Sequence, residues 1–320
     1  MPGGLAVVLS GGGAPAAYFG AGVILAIEDH GVRPDIVSGV SAGAINACAV
    51  GSGMSASDLA KMWCNIRWTD IYRPRLDLWN AVNVRSLFRP TTNMAEYALG
   101  AVGWTYLLDT GPARRTLTAE FGGTDVRPAW DTTIVVSAVD ENTGDVVRFS
   151  SKLPPPHRRD PQFRQVDLTV DHILSSAAVP LLFPPGRADT HTLVDAGLVA
   201  NTPLAPVMRY EPDRVIVVSG AGITRPAPSP TSLGAAIGLL VDNVAHFALH
   251  ADYDHAQTVN RLARSAPDAT AKREVPILLI EPTDLGFSVD GFLRFTPGQA
   301  RSMIECGREQ AEKALVGWDF

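Results

Sequence analysis

Gly39-x-Ser41-x-Gly43 constrains this chain more than any other stretch, because the pattern needs a strand before it and a helix after it. Asp35-Ile36-Val37-Ser38 reads as a short apolar strand, and Ala42 to Val50 reads as a helix. The two must join through a sharp turn that carries Ser41. A serine on so strained a turn projects its hydroxyl away from the backbone, and glycines at 39 and 43 remove side chains that would crowd it. Ser41 also falls at a helix N-terminus, where unpaired N–H groups and the helix dipole favour negative charge. That is the setting of a nucleophilic serine. Taken alone, the same five residues also fit a plain turn before a helix.

A second glycine turn precedes it. Leu5-Ala6-Val7-Val8-Leu9 is apolar without alternation, the pattern of a strand covered on both faces. Ser10-Gly11-Gly12-Gly13 follows, then a helix over Ala16 to Asp29, stopped at Gly31. Strand, turn, helix, strand, turn, helix is the βαβ rhythm of a parallel sheet. Gly11-x-Gly13-x-x-Ala16 formally fits a dinucleotide-binding turn. That reading also wants an acidic residue at the far end of the second strand, but Asp35 lies at its beginning and the far end carries Ser41. The alternative is an oxyanion hole, in which bare N–H groups of Gly11, Gly12 and Gly13 lie beside Ser41.

The remaining chain supplies more α/β elements. Thr133 to Val139 and Val146 to Ser150 flank a turn-rich stretch and read as a hairpin. Asp167 to Ala178 reads as a helix ending before Pro180. Thr192-Leu193-Val194 runs into Asp195-Ala196-Gly197, which places a carboxylate at a tight turn, either as a turn former or as a base for Ser41. Buried strands are expected at Arg214 to Ser219 and Val275 to Ile280, and a closing amphipathic helix at Pro297 to Leu315. A long helix over Leu233 to Ala263 carries Asp242, His246, His250 and Asp254 at four-residue steps. Neighbouring pairs there have metal-ligand spacing, and a polar helix stripe explains them more simply. Trp63 to Phe121 interleaves aromatic residues with arginines and reads either as a lid over a lipophilic pocket or as helices packed on the sheet.

Composition limits the classes. With 46% hydrophobic and 19% charged residues in 320, the chain can bury a core, which excludes an intrinsically disordered protein. A net charge of −6 gives no reason to expect a nucleic-acid partner. No secretory signal or bilayer-spanning run is seen, and Cys48, Cys64 and Cys306 lack metal-ligand spacing. The expectation is a cytoplasmic protein with reduced thiols, peripheral where it meets a membrane surface.

Four segments agree in order and context: Ser10 to Gly13, Gly39 to Gly43, Ser176 to Pro185, and Asp195 to Pro203. Together they resemble the patatin-like phospholipase family over nearly the whole chain. The resemblance implies a single α/β domain over 1–320, a three-layer sandwich with a mostly parallel central sheet and helices on both faces. Residues 63–121 would be a cap or lid insertion. It also implies a dyad in place of a triad, with Ser41 as nucleophile, Asp195 as base and Gly11 to Gly13 as the oxyanion hole. No metal and no cofactor are implied; the partner is a lipid or another acyl ester. A triad through His191 is the rival arrangement, with His172 the other histidine near these segments. One departure stands out. The family usually has Arg or Lys and then Gly where this chain has Pro15 and Ala16. As an opening helix residue Pro15 is acceptable, and it would hold Ala14 extended. Three outcomes follow: a hydrolase of lipid esters, an acyltransferase using the same acyl-enzyme, or a lipid-binding protein with little catalysis.

Overall fold

Apolar runs without alternation become the middle of the sheet. In a computed structural model, the residues described are 4–75, 77, 82–83, 93, 100–200, 203–220, 229–231, 233–266, 272–282 and 291–318. Strand β1 (Leu5–Leu9) leads into helix α1 (Gly13–Asp29), and β2 (Ile36–Gly39) into α2 (Ala42–Gly51). Helices α3 (Ala56–Asn65) and α4 (Trp68–Ile71) follow, then a two-stranded ribbon of β3 (Arg73–Pro74) and β4 (Leu108–Asp109), then α5 (Gly111–Glu120). The chain then forms β5 (Thr133–Asp140), β6 (Val146–Ser150), β7 (Phe163–Gln165), α6 (Val170–Ser176), β8 (Gly186–Ala188) and β9 (His191–Asp195). Helix α7 (Leu204–Met208), β10 (Arg214–Val218), α8 (Leu233–Ser265), β11 (Ile277–Ile280) and α9 (Pro297–Leu315) complete it.

Among the described residues nine strands form one sheet: seven in the order β11-β10-β1-β2-β5-β6-β7, with β9 paired to β5 and β8 to β9 off that path. The neighbours from β11 to β5 are all parallel. Beyond β5 the pairing turns antiparallel at the expected hairpin with β6. Side chains alternate between faces, so the strands build two cores. Leu5, Val7 and Leu9 pack with α1, α2, α3, α6 and α9, while Ala6 and Val8 pack with α7 and α8. The architecture is therefore α/β, with a mostly parallel central sheet and helices on both faces.

The start of α1 differs from the sequence expectation. The helix begins at Gly13, three residues before Ala16, so Ala14 is helical and not extended. Pro15 occupies the third helical position, where its missing N–H would have had no intrahelical acceptor. Trp63 is fully buried on α3 and belongs to the core. Several residues singled out from the sequence lie outside the described residues: Trp79, Arg85, Phe88, Arg89 and Tyr97, the Asn201-Thr202 pair, and most of the proline-rich loop over 225–230. No described helix is long and apolar enough to cross a membrane.

Candidate active site

The length of β5 decides where Ser41 and Asp195 lie. Its first half pairs with β2, ending at Gly39 opposite Val136. Its last residues pair with β9, where Asp195 stands opposite Ala138. Strands β2 and β9 run toward each other, so the turn after Gly39 and the end of β9 meet over the middle of β5. Residues 154 positions apart thereby come together, with the Ser41 hydroxyl near enough to the Asp195 carboxylate to favour its charged form.

The turn at Ser41 is strained, with φ 55° and ψ −126°. A non-glycine residue holds that conformation only when its surroundings impose it. Two hydrogen bonds and two close backbone approaches do so. The Ser41 N–H donates to Ser176 Oγ at 3.0 Å, and Ser176 Oγ donates to the Ser137 carbonyl at 2.7 Å, which ties the turn to α6 and β5. A side chain at Gly39 would collide with the Gly43 carbonyl, and one at Gly43 with the Leu9 and Ser10 carbonyls. The two glycines of the pattern thus permit the close approach of β1, β2 and α2. Ser176 belongs to a segment that the sequence marked, but its part in fixing Ser41 was not legible there.

Asp195 is 5% exposed. Burial raises its carboxyl from the usual 3.8 to about 6, against hydrogen bonds from Ser41 and from the Gly197 N–H at 2.6 Å that favour the charged form. At neutral pH the group is ionised, poorly solvated and in contact with a hydroxyl proton. Such a carboxylate can accept that proton directly.

The glycine turn lies across β1 from this pair. Gly12 precedes α1 with φ 142°, and Gly13 opens the helix with φ 64°, both in the region that favours glycine. Among the described residues nothing accepts a hydrogen bond from the Gly12 or Gly13 N–H. The Ala14 N–H is taken by the Phe292 carbonyl at 3.0 Å. Gly13 and Ser41 line one apolar cavity of about 60 Å³, walled by residues of α2, α3, α4, α5 and α6 and by Phe292 to Phe295.

The histidines take other positions. His191 sits at the opposite end of β9 from Asp195, about 13 Å along the strand. Its Nδ1 hydrogen-bonds Asp140 at 2.6 Å. His172 is buried in the first turn of α6, where Nδ1 meets Thr169 Oγ1 at 2.9 Å and accepts from the Thr169 N–H at 3.1 Å. Neither geometry is that of a base on Ser41. On α8 the His246 and His250 rings stand 4.3 Å apart, and His250 faces Glu281 at 3.4 Å. The Asp242 side chain is outside the described residues. Among the described residues no group of three or more His, Cys, Asp or Glu side chains is arranged to hold a metal.

No curated protein matches the chain. Among solved structures it is similar to VipD from Legionella pneumophila, at 16% identity and a TM-score of 0.44, covering 98% of this chain and 67% of VipD. It is also similar to the type III effector protein ExoU, at 15% identity and a TM-score of 0.38, covering 99% of this chain. The chain spans 53% of ExoU. The sequence profile described as patatin-like phospholipase matches residues 7–208, a stretch that holds the glycine turn, Ser41 and Asp195. With more than half of its length matched, the chain belongs to the patatin-like phospholipase family.

Proposed function

We propose that Ser41 and Asp195 form a nucleophile–base dyad that cleaves carboxylic esters of lipids through an acyl–Ser41 intermediate. At the family level the chain is a lipid acyl hydrolase. The observation that carries the finer reading is a strained, buried serine brought beside a buried carboxylate that is raised to about 6.

Ser41 Oγ attacks the ester carbonyl as its proton passes to Asp195. The carbonyl oxygen gains the negative charge and faces the N–H groups of Gly11, Gly12 and Gly13. Collapse expels the alcohol, which takes the proton back from Asp195. Water then gives a proton to Asp195 as its oxygen attacks the acyl carbon, and the second collapse releases the acid and restores the Ser41 hydroxyl. No metal or redox group enters these steps.

The whole described chain acts as one domain in this reading, with part of 63–121 walling the site. Ile71, Thr110, Ala113 and Leu117 line the cavity, and the Leu108 N–H donates to the Leu182 carbonyl at 2.8 Å. Leu181 and Val199, 63% and 60% exposed, lie on the loops that carry Val179, Phe183 and Asp195. Apolar side chains at that rim suit a lipophilic alcohol part or peripheral contact with a membrane.

The test is labelling by a fluorophosphonate together with ester turnover, in wild type, Ser41→Ala and Asp195→Asn. Labelling lost in Ser41→Ala and much reduced in Asp195→Asn supports the dyad. A folded wild type that is neither labelled nor active refutes it. Acid as product identifies a hydrolase; a new ester on an added alcohol identifies an acyltransferase.

A further inference from the structure

We infer that the cavity beside Ser41 selects short acyl groups, of about two to four carbons, and that Trp63 sets the limit. The inference rests on the dyad reading and names the substrate class of that site.

The direction of the ester comes first. The leaving alcohol must collect its proton from Asp195, so it lies on the Asp195 side of Ser41. Asp195 does not line the cavity, whereas Ser41 and Gly13 do. An ester carbonyl at Ser41, with its oxygen toward the glycine turn, therefore points its acyl chain into the cavity and its alcohol away from it.

The size comes next. The cavity holds about 60 Å³. An apolar cavity of about 150 Å³ takes a six-carbon ring, so by proportion this one takes two or three carbons beyond the carbonyl. Pockets that hold whole drug-sized ligands run from about 300 Å³ upward.

Trp63, which lines the cavity, is held firmly in place. Trp63 has no exposed surface. Its Nε1–H donates to Asn46 Oδ1 at 2.7 Å, and Asn46 Nδ2 donates to the Ala17 carbonyl at 2.9 Å. The indole stacks on Phe295 with ring centres 6.2 Å apart and meets Tyr18 edge-on at 6.0 Å. Asn46 lies on α2, the helix that leaves Ser41, so the indole is tied to the helix that positions the nucleophile. An acyl chain that displaced the indole would have to break a buried hydrogen bond and separate an aromatic stack. Ala113 of α5, a small residue, lines the same cavity.

The experiment is a series of p-nitrophenyl esters, acetate, butyrate, octanoate and palmitate, with kcat/KM for each and fluorophosphonate labelling of Ser41 in parallel. Wild type is expected to favour acetate and butyrate over octanoate by about tenfold or more. Trp63→Ala is expected to move the optimum toward octanoate. Since that variant empties a fully buried site, Ala113→Leu provides a second arm that fills the cavity without opening one. It is expected to lower butyrate about tenfold against acetate. A wild type that is labelled at Ser41 yet cleaves octanoate or palmitate as well as butyrate overturns the chain-length inference and leaves the dyad standing. A folded wild type with neither labelling nor turnover overturns the dyad, and the inference with it.

Discussion

Asp195→Asn removes one buried charge and keeps an oxygen for the Gly197 N–H and a polar group for Ser41. Its consequence for stability follows from the direction in which burial moves the carboxyl. In the unfolded chain the group titrates near its ordinary 3.8, and in the folded protein at about 6. Between those values the folded state binds more protons than the unfolded one, so the wild type loses stability as pH rises through the window. The loss is complete by about pH 7, one unit above the folded value. A displacement of about 2 in pKa corresponds to about 3 kcal/mol, with little reduction for solvent because the group is buried. Asn does not titrate, and every other group contributes equally to both proteins. The difference in unfolding free energy, variant minus wild type, should therefore grow by about 3 kcal/mol in all between about pH 3 and pH 7, about 2 kcal/mol of it between pH 4 and pH 6, and stay flat above that. Urea unfolding of both proteins at closely spaced pH values measures it, while turnover falls sharply in the variant. A difference that does not change with pH, or one that shrinks as pH rises, refutes the reasoning and means that Asp195 is not held in a desolvated site.

Four further outcomes can be checked on the same protein. The wild-type kcat/KM for a neutral ester should rise through an acid limb near pH 6, because only ionised Asp195 accepts the Ser41 proton. Ser176→Ala leaves the Ser41 N–H buried without its acceptor; it should cost about 1–3 kcal/mol and lower kcat more than it raises KM, as steady-state kinetics would show. Ser41→Gly should abolish labelling yet stabilise the fold by about 1–3 kcal/mol in urea unfolding, since glycine adopts the φ of this turn without strain. Gly43→Ala should destabilise by about 3 kcal/mol or more by the same method, because its side chain would meet backbone carbonyls of Leu9 and Ser10 that cannot swing aside.

The features readable from the sequence were those with local causes. The unalternating runs at Leu5–Leu9 and Arg214–Val218 became central strands because a strand covered on both faces needs apolar residues at every position. The hairpin of β5 and β6 announced itself by its turn. The glycines at 39 and 43 were legible because a tight crossing excludes side chains. What escaped depends on partners distant in sequence. The first turn of α1 was missed because Pro15 argues against helix before it, yet the Phe292 carbonyl takes the Ala14 N–H and holds that turn in place. Strands β7 and β8 are three residues each and exist by pairing with β6 and β9, so neither has a pattern of its own. Ser176 was one of several small residues before Pro180, and only the fold makes it the acceptor for Ser41. His191 drew notice by its nearness in sequence to Asp195, but an extended strand separates two residues as effectively as a domain boundary would.

The loss of a cation at Pro15 is coupled to the strength of the base. A full positive charge beside a buried carboxylate pulls its pKa down and weakens it as a proton acceptor. The influences on Asp195 are burial, which raises its carboxyl, and two hydrogen bonds, which lower it; no cation is among them. In the proposed mechanism the developing oxyanion must then be met by backbone alone. Two helices supply it: α1 begins at Gly13 and α2 at Ala42, and residues at both starts line the same cavity. Each helix end carries about half a positive charge, and in a site shielded from water two such ends offset much of one negative charge. Pro15 subtracts nothing from this, because an N–H in the third helical position is not needed by the helix and the Gly12 and Gly13 N–H groups remain. A glycine loop without a side-chain cation offers no ion pair of its own to an anionic head group. In the proposed mechanism this arrangement suits a neutral ester with a small acyl part, and it leaves Asp195 basic enough to act without a histidine.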